Sequence, residues 1–322
     1  MDEPYVLYGG ELSLFTRKLE AALNFYGAAF EFRNKADADP ALIETRSGTH
    51  QVPVLQTPEN WMLADTTPIM MLLDARFPAR RQFPDGEMGL LVHVLEEFFD
   101  EWIARVMVHY RWHYEESAVF ASERISGGNA EAAARIRGWG PRACRATGTE
   151  SEHQQAEVEA EYARMLAAAE TQLQQTAYLL GDRPTALDCM FLGGLWAHTN
   201  MDPVPKRVVA NYPTVLHWAE TRAIQWDGGG ELAAFAEPTP FALTVLAEMA
   251  DTYGRFVLGN ADALHVGAKA FHVDTYSEET SYLTRPYPEQ SRRMVAKRVA
   301  ALDTEEVRSW LNEYNLLHVF NG

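Results

Sequence analysis

The hydrophobic periodicity of this chain changes character once, near residue 80, and that change limits what it can fold into. Ahead of it, short β-prone runs alternate with helical stretches; behind it, nearly every apolar stripe repeats at helical spacing. Tyr5-Val6-Leu7-Tyr8 reads as a strand closed by Gly9-Gly10. Phe15, Leu19, Ala22, Leu23 and Phe25 then recur as on one face of a helix, with Arg17, Lys18 and Glu20 between them. Phe30-Glu31-Phe32-Arg33 alternates as a second strand, Val52-Pro53-Val54-Leu55 is a third, and Trp61-Met62-Leu63 a fourth. Asp65-Thr66-Thr67-Pro68 supplies cap residues and a first-turn proline to an apolar helix over 69–75. The order is β-α-β-(α)-β-β-α, an α/β domain over residues 1–80 followed by a linker at 81–86.

Residues 87–235 read as an all-helical domain. One long amphipathic helix covers 90–114, and 116–150 is a weaker stretch broken by Gly127-Gly128 and by Gly138-Trp139-Gly140-Pro141. An alanine- and glutamate-rich helix is expected over 151–180, an apolar one over 185–199 and another over 211–224. Residues 236–322 form an extension. It carries a helix from Pro240 to about Leu258, a short helical stretch at 260–269, a hairpin or loop over 270–285, and helices near 287–301 and 304–314. Arg292-Arg293 and Lys297-Arg298 read there as a basic solvated or interdomain face.

The net charge of −17 argues against nucleic acid as the main partner, because phosphate binding needs a basic surface. Two cysteines, Cys144 and Cys189, exclude a disulfide framework or a cysteine-rich zinc site. No metal-ligand spacing is found among His265, His272 and His318. The Met-Asp-Glu-Pro start lacks the basic flank and apolar core of a secretory signal, and no apolar run approaches the ~20 residues of a membrane span, so the cytoplasm is the expected compartment.

Three segments of the first domain point to one chemistry. Ser13 stands where the strand–loop–helix Tyr8-Gly9-Gly10-Glu11-Leu12-Ser13-Leu14-Phe15-Thr16 enters its helix. Unpaired N–H groups and the helix dipole favour a thiolate there. Taken alone, Ser13 is most simply an N-cap. The second segment, His50-Gln51-Val52-Pro53-Val54, puts a proline in an apparent central strand, where it cannot donate to the ladder. The third, Asp65-Thr66 ahead of an apolar helix, offers a hydroxyl and a backbone N–H at a helix N-terminus, a combination suited to an anion.

In joint order and spacing these segments resemble the glutathione transferase family of serine-type cytosolic enzymes. That resemblance implies a thioredoxin-like α/β domain followed by an all-α domain, here with an additional, mostly helical C-terminal extension. It implies glutathione as co-substrate, with the Ser13 hydroxyl donating to its sulfur. Gln51 and Val52 beside a cis Pro53 would meet the cysteinyl backbone, and Asp65 with Thr66 the γ-glutamyl group. Thr66 departs from the usual serine. The redox members' Cys-x-x-Cys is replaced by Ser13-Leu14-Phe15-Thr16, which excludes disulfide chemistry by thiols at this site. Gly181-Asp182-Arg183-Pro184-Thr185-Ala186-Leu187-Asp188 resembles the family's structural N-capping motif, and Thr185 with Asp188 forms a capping box.

The expected activity is conjugation to, or glutathione-dependent lysis of, a small electrophile, by a homodimer and with no metal. Tyr110, Trp112, His113 and Tyr114 are candidates for the electrophile pocket, although helical spacing sends about half of such a run to a core. The alternatives are a non-catalytic binding or scaffold protein on the same fold, and a glutathione-dependent isomerase. His50-Gln51-Val52-Pro53 has the flavour of maleylacetoacetate isomerases, whose Ser-Ser-Cys is absent here.

Overall fold

The computed structural model describes residues 3–221 and 226–321. Its elements in chain order are β1 (Tyr5–Gly9), α1 (Leu14–Tyr26), β2 (Phe30–Asn34), α2 (Pro40–Ser47), β3 (Val54–Gln56), β4 (Met62–Ala64), α3 (Thr66–Arg76), α4 (Gly86–Glu97), α5 (Ala104–Trp112), α6 (Glu115–Ile125), α7 (Ala130–Arg137), α8 (Gly140–Ala146) and α9 (Glu152–Leu173). There follow α10 (Ala186–Gly194), α11 (Pro203–Val209), α12 (Pro213–Thr221), α13 (Pro240–Met249), α14 (Arg255–His265), β5 (Ala270–Thr275), β6 (Glu278–Leu283), α15 (Pro286–Leu302), α16 (Glu305–Glu313) and α17 (Leu317–Phe320). This is the thioredoxin-like α/β start with a helical remainder that the pattern implies. The chain packs as two compact units, Met1–Pro84 with Leu173–Leu232, and Asp85–Gln172 with Ala233–Gly322.

In the first unit the sheet order is β2-β1-β3-β4, with β1 parallel to β2 and antiparallel to β3. All five residues of β1 are buried, which is why that run lacks strand alternation. On one face α1 lies against α10, whose nine residues are all buried. Their approach is close enough to require Gly193, because a Cβ there would stand 2.7 Å from the Leu14 carbonyl oxygen and 2.9 Å from the Lys18 nitrogen. The capping box at the head of α10 forms as expected, with Thr185 N–H donating to Asp188 Oδ2 at 2.8 Å. A second carboxylate, Asp74 of α3, accepts from the Tyr26 hydroxyl at 2.5 Å and from the backbone of Gln82 at 2.6 Å and Phe83 at 3.1 Å, pinning the segment that leaves the α/β domain.

In the second unit the expected long helix is α4 and α5 joined through a π-helical segment, Phe98–Ile103, that turns Phe98, Phe99, Trp102 and Ile103 inward. The weaker stretch over 116–150 forms three short helices, α6, α7 and α8, which break at Gly127-Gly128 and around Gly138-Trp139 as the sequence expects. The helix expected over 151–180 stops at Leu173, because Tyr178 and Gly181 exchange backbone hydrogen bonds in a turn that overrides the propensity of the sequence. Part of the helix expected to reach Ile224 lies outside the described residues; its described portion is α12, preceded by α11.

Tail helices α13 and α14 make one run through a π-helical segment, Ala250–Gly254, without the break expected near 258. Gly259 sits in that run because the hairpin β5–β6 crosses there, and a Cβ would stand 2.6 Å from Val273 Cγ1. The hairpin lays Phe271 and Tyr282 beside Phe256 and Trp102. Its tip sends the Tyr276 hydroxyl to the buried Glu161, next to an Arg105 guanidinium that stacks 3.5 Å over Trp102. Arg292 is likewise no solvated charge. It is buried, paired with Glu289 at 2.7 Å, and donates to the Val319 carbonyl at 2.7 Å, holding α17 on α15.

Candidate functional site

The register of the four-stranded sheet brings the three sequence segments to one place. Tyr8 of β1 pairs with Val54 of β3, and Val54 pairs with Ala64 of β4. The chain therefore leaves β1, enters β3 and leaves β4 at the same end of the sheet, over a width of about 10 Å for three adjacent strands. The β1 exit carries Ser13, the β3 entry carries Val52-Pro53 and the β4 exit carries Asp65-Thr66.

Gly9 makes the first turn possible, since a Cβ would stand 2.2 Å from Thr16 Cγ2. Gly10 N–H then donates to Thr16 Oγ1 at 3.3 Å, and Ser13 N–H to the Gly10 carbonyl at 3.0 Å. Ser13 is the N-cap of α1 in extended backbone, and its Oγ accepts from Thr16 N–H at 3.3 Å. The cap role is thus real. A hydroxyl used this way through oxygen retains its proton, and that proton has no acceptor among the described residues. The nearby Tyr8 hydroxyl is committed elsewhere, to Gln56 Oε1 at 3.1 Å, with its ring packed beside Ile43 and Val54.

The Val52–Pro53 peptide is cis. Pro53 is buried, Val52 half-buried and Gln51 exposed, and β3 begins only at Val54. Neither the N–H nor the C=O of Val52 has a partner among the described residues. Lys35 braces the approach to this peptide, donating to the carbonyls of His50 at 2.7 Å and Gln51 at 3.1 Å while paired with Glu44 at 3.3 Å.

Asp65 turns the chain into α3 with φ 72° and ψ 114°, a left-handed backbone that costs a non-glycine residue about 1–3 kcal/mol. Its side chain is exposed and makes no cap hydrogen bond. Thr66 behind it is buried, and its hydroxyl and backbone N–H have no partner among the described residues. Thr67 accepts at Oγ1 from Lys18 Nζ at 3.0 Å, so α1 is tied to the first turn of α3. Lys18 is fully buried, against the expectation that it lay among the polar residues of α1. The available signal was its spacing, four residues after Leu14 and seven before Phe25, on the apolar face.

The four aromatic candidates belong to the second unit. Tyr110 is buried and stacked on Tyr114 with ring centroids 6.1 Å apart, and Trp112 is half-buried with its Cβ beside Gly140. His113 is largely exposed but lays one ring face on His109 at 4.9 Å; the partial loss of solvent there, then the neighbouring His109, lowers its pKa. Glu159 accepts from the Tyr114 hydroxyl at 2.6 Å and lies 2.7 Å from His109 Nε2. Burial and that carboxylate push the Tyr114 phenol up to about 12. Most of the run is therefore a hydrogen-bonded aromatic stack. Among the described residues no group of three or more His, Cys, Asp or Glu is placed to hold a metal ion, and no helix is long and apolar enough to cross a membrane.

The four-stranded sheet in the order β2-β1-β3-β4, with a cis proline at the entry to β3 and helices α1 and α3 starting at the same end, is a thioredoxin-like fold. Residues 7–81 match the family model for the glutathione S-transferase N-terminal domain, and residues 124–223 that for the C-terminal domain, together over half of the chain. The protein belongs to the glutathione S-transferase family. It is similar to a solved glutathione S-transferase from Pseudomonas fluorescens, at 17% identity over 73% of this chain and 100% of that one, with a TM-score of 0.41. A Methylobacterium radiotolerans glutathione S-transferase in complex with glutathione sulfonate matches at 18% identity, over 68% and 92% of the two chains, with a TM-score of 0.44. A β-etherase from a Sphingobium strain matches at 17% identity, over 69% and 97%, with a TM-score of 0.47. No curated protein matches the sequence.

Proposed function

We propose that this protein binds glutathione at the sheet end described above and activates its thiol for attack on a small electrophilic carbon, as a serine-type cytoplasmic homodimer that uses no metal. The supporting observation is the set of polar groups left without partners among the described residues at that end: the Ser13 hydroxyl proton, both backbone groups of Val52, and the hydroxyl and N–H of Thr66. They match what a γ-glutamyl-cysteinyl ligand offers in turn: a thiolate, an amide pair that adds one rung to the strand, and a carboxylate. In this proposal Gln51 and Asp65 flank the ligand. Tyr110, Trp112, His113 and Tyr114 are kept as candidate electrophile contacts, checked by scanning alanine variants against a panel of electrophiles.

A thiol of pKa about 8.5 is only roughly 3% ionised at pH 7. Making thiolate the majority form takes about two units, or about 2.7 kcal/mol. One hydrogen bond to a charged acceptor, at about 1.5–3 kcal/mol, together with the α1 dipole, is of that size. Ser13→Ala should therefore lower turnover about 10- to 100-fold and leave glutathione affinity nearly unchanged. Ser13→Asp keeps an N-cap acceptor but donates nothing, and should lose turnover without losing thermal stability. Calorimetric titration with glutathione, thermal melts and conjugation of an aryl halide measure the three quantities.

The cap hydrogen bond to Thr16 favours a second reading, a glutathione-binding or scaffold protein without catalysis. It predicts that Ser13→Ala costs stability alone.

A further inference from the structure

We infer that Lys35 is a positioning residue for the proposed site, acting through the Gln51–Val52 peptide to aim and strengthen the Val52 N–H as a donor to the cysteinyl carbonyl; the inference rests on the glutathione reading given above. Lys35 follows directly on β2, and its side chain is buried. Its ammonium has three N–H groups and three acceptors: the carbonyls of His50 at 2.7 Å and Gln51 at 3.1 Å, and Glu44 Oε1 at 3.3 Å. That set uses every donor the lysine has. Lys35 therefore serves the backbone it touches rather than a ligand carboxylate.

Between α2 and β3 the chain forms neither helix nor strand, and among the described residues no backbone–backbone hydrogen bond involves residues 49–53. Side chains hold this segment instead. Gln51 N–H donates to Thr49 Oγ1 at 3.1 Å, and Lys35 collects two successive carbonyls. The Gln51 carbonyl and the Val52 N–H belong to one peptide. The cis bond lies one residue on, at Val52–Pro53, so this peptide is trans and planar, with its C=O and N–H pointing in opposite directions. Anchoring the carbonyl on the ammonium thus turns the N–H away from Lys35, and that N–H has no partner among the described residues. A cation at the oxygen also polarises the amide, which makes its N–H a stronger donor. An apolar side chain at position 35 could do neither.

The test compares two S-methyl ligands by calorimetry on the full-length protein: γ-glutamyl-cysteinamide, and γ-glutamyl-cysteamine, which lacks the cysteinyl carboxamide and with it the acceptor for Val52. The methyl group takes thiol ionisation out of the comparison. The wild type should prefer the cysteinamide about tenfold. Lys35→Met should lower that preference to about twofold, by weakening the cysteinamide, while Lys35→Arg, which keeps charged donors, should retain it. A lysine that merely holds the fold would weaken both ligands alike; that result, or an unaltered preference in Lys35→Met, overturns the proposal. Should Lys35→Met fail to give the wild-type circular dichroism spectrum, Lys35→Gln carries the same comparison, since its amide still donates but brings no charge; an intermediate preference is expected and an unaltered one overturns the proposal. A wild type that binds neither ligand nor glutathione overturns the glutathione site itself. One that binds glutathione but shows no preference, or a preference unmoved by the variants, overturns only the role of Lys35.

Discussion

Replacing Asp188 with asparagine offers a sharp test of how the head of α10 is held. The wild-type carboxylate accepts from Leu179 N–H at 2.9 Å through one oxygen, and from Thr185 N–H at 2.8 Å and Thr185 Oγ1 at 2.9 Å through the other. An asparagine amide has one accepting oxygen, so one buried backbone N–H loses its partner, at about 1–3 kcal/mol. Against this stands the burial of Asp188, which pushes its pKa from the ordinary 3.8 to about 6 despite those hydrogen bonds. A carboxyl whose folded pKa is raised contributes stability that is complete below the unfolded pKa and is lost as pH rises through the folded one. Two units correspond to about 3 kcal/mol. The wild type should therefore exceed Asp188→Asn in stability most clearly near pH 4, and that advantage should shrink by up to about 3 kcal/mol by pH 7. Every other titrating group is common to the two proteins and cancels in their difference. Denaturant unfolding of both at pH 4.5, 5.5 and 7 measures it; an advantage that stays constant or widens with pH would refute the burial argument.

Thr66→Val preserves side-chain volume and removes the donor, so glutathione affinity should fall about tenfold, and undiminished retention on a glutathione resin would remove Thr66 from the site. Tyr276→Phe deletes the hydroxyl shared by Glu161 and Arg105 and should destabilise the second unit by about 2–3 kcal/mol, read from denaturant unfolding followed by tryptophan fluorescence; an unchanged midpoint would show the hairpin tip to be dispensable. Light scattering after gel filtration should return twice the chain mass, and a monomer at micromolar concentration would end the homodimer proposal.

The parts of this protein that were legible in its sequence are those whose cause is local. A capping box needs only Thr185 and Asp188, three residues apart, and it formed. The alternation of strands with α1 and α3, and the misfit of Pro53 in an apparent strand, are likewise written within a few residues of themselves, and the peptide before Pro53 is cis. What stayed illegible depends on partners far along the chain. Lys18 finds Thr67, Lys35 finds the carbonyls of residues 50 and 51, and Arg292 finds the carbonyl of Val319, and no neighbour in sequence announces any of these partners. The β5–β6 hairpin was ambiguous for a related reason. Its two-residue turn holds Tyr276 at φ 51° and Ser277 at φ 64°, where Asn-Gly or Asp-Gly is the usual choice, so the strongest local hairpin signal is missing. The tip residue is instead selected by a distant socket, because only a long phenol reaches Glu161.

Ser13 shows why even local legibility has a limit. A serine at a helix start serves as a cap through its oxygen and as a thiol activator through its proton, and both uses require the same residue in the same backbone geometry. No periodicity or spacing separates them. The hydrogen bonds show the cap directly, since the oxygen is engaged by Thr16, and they leave the proton without an acceptor among the described residues, which is compatible with the proposed second use. The same reading applied to Tyr8, whose hydroxyl donates to Gln56, removes the competing hydroxyl at that sheet end. Of these two hydroxyls, five residues apart in sequence, that of Tyr8 is spent on Gln56, while that of Ser13 keeps a proton without an acceptor among the described residues, as the proposed thiol-activating role requires.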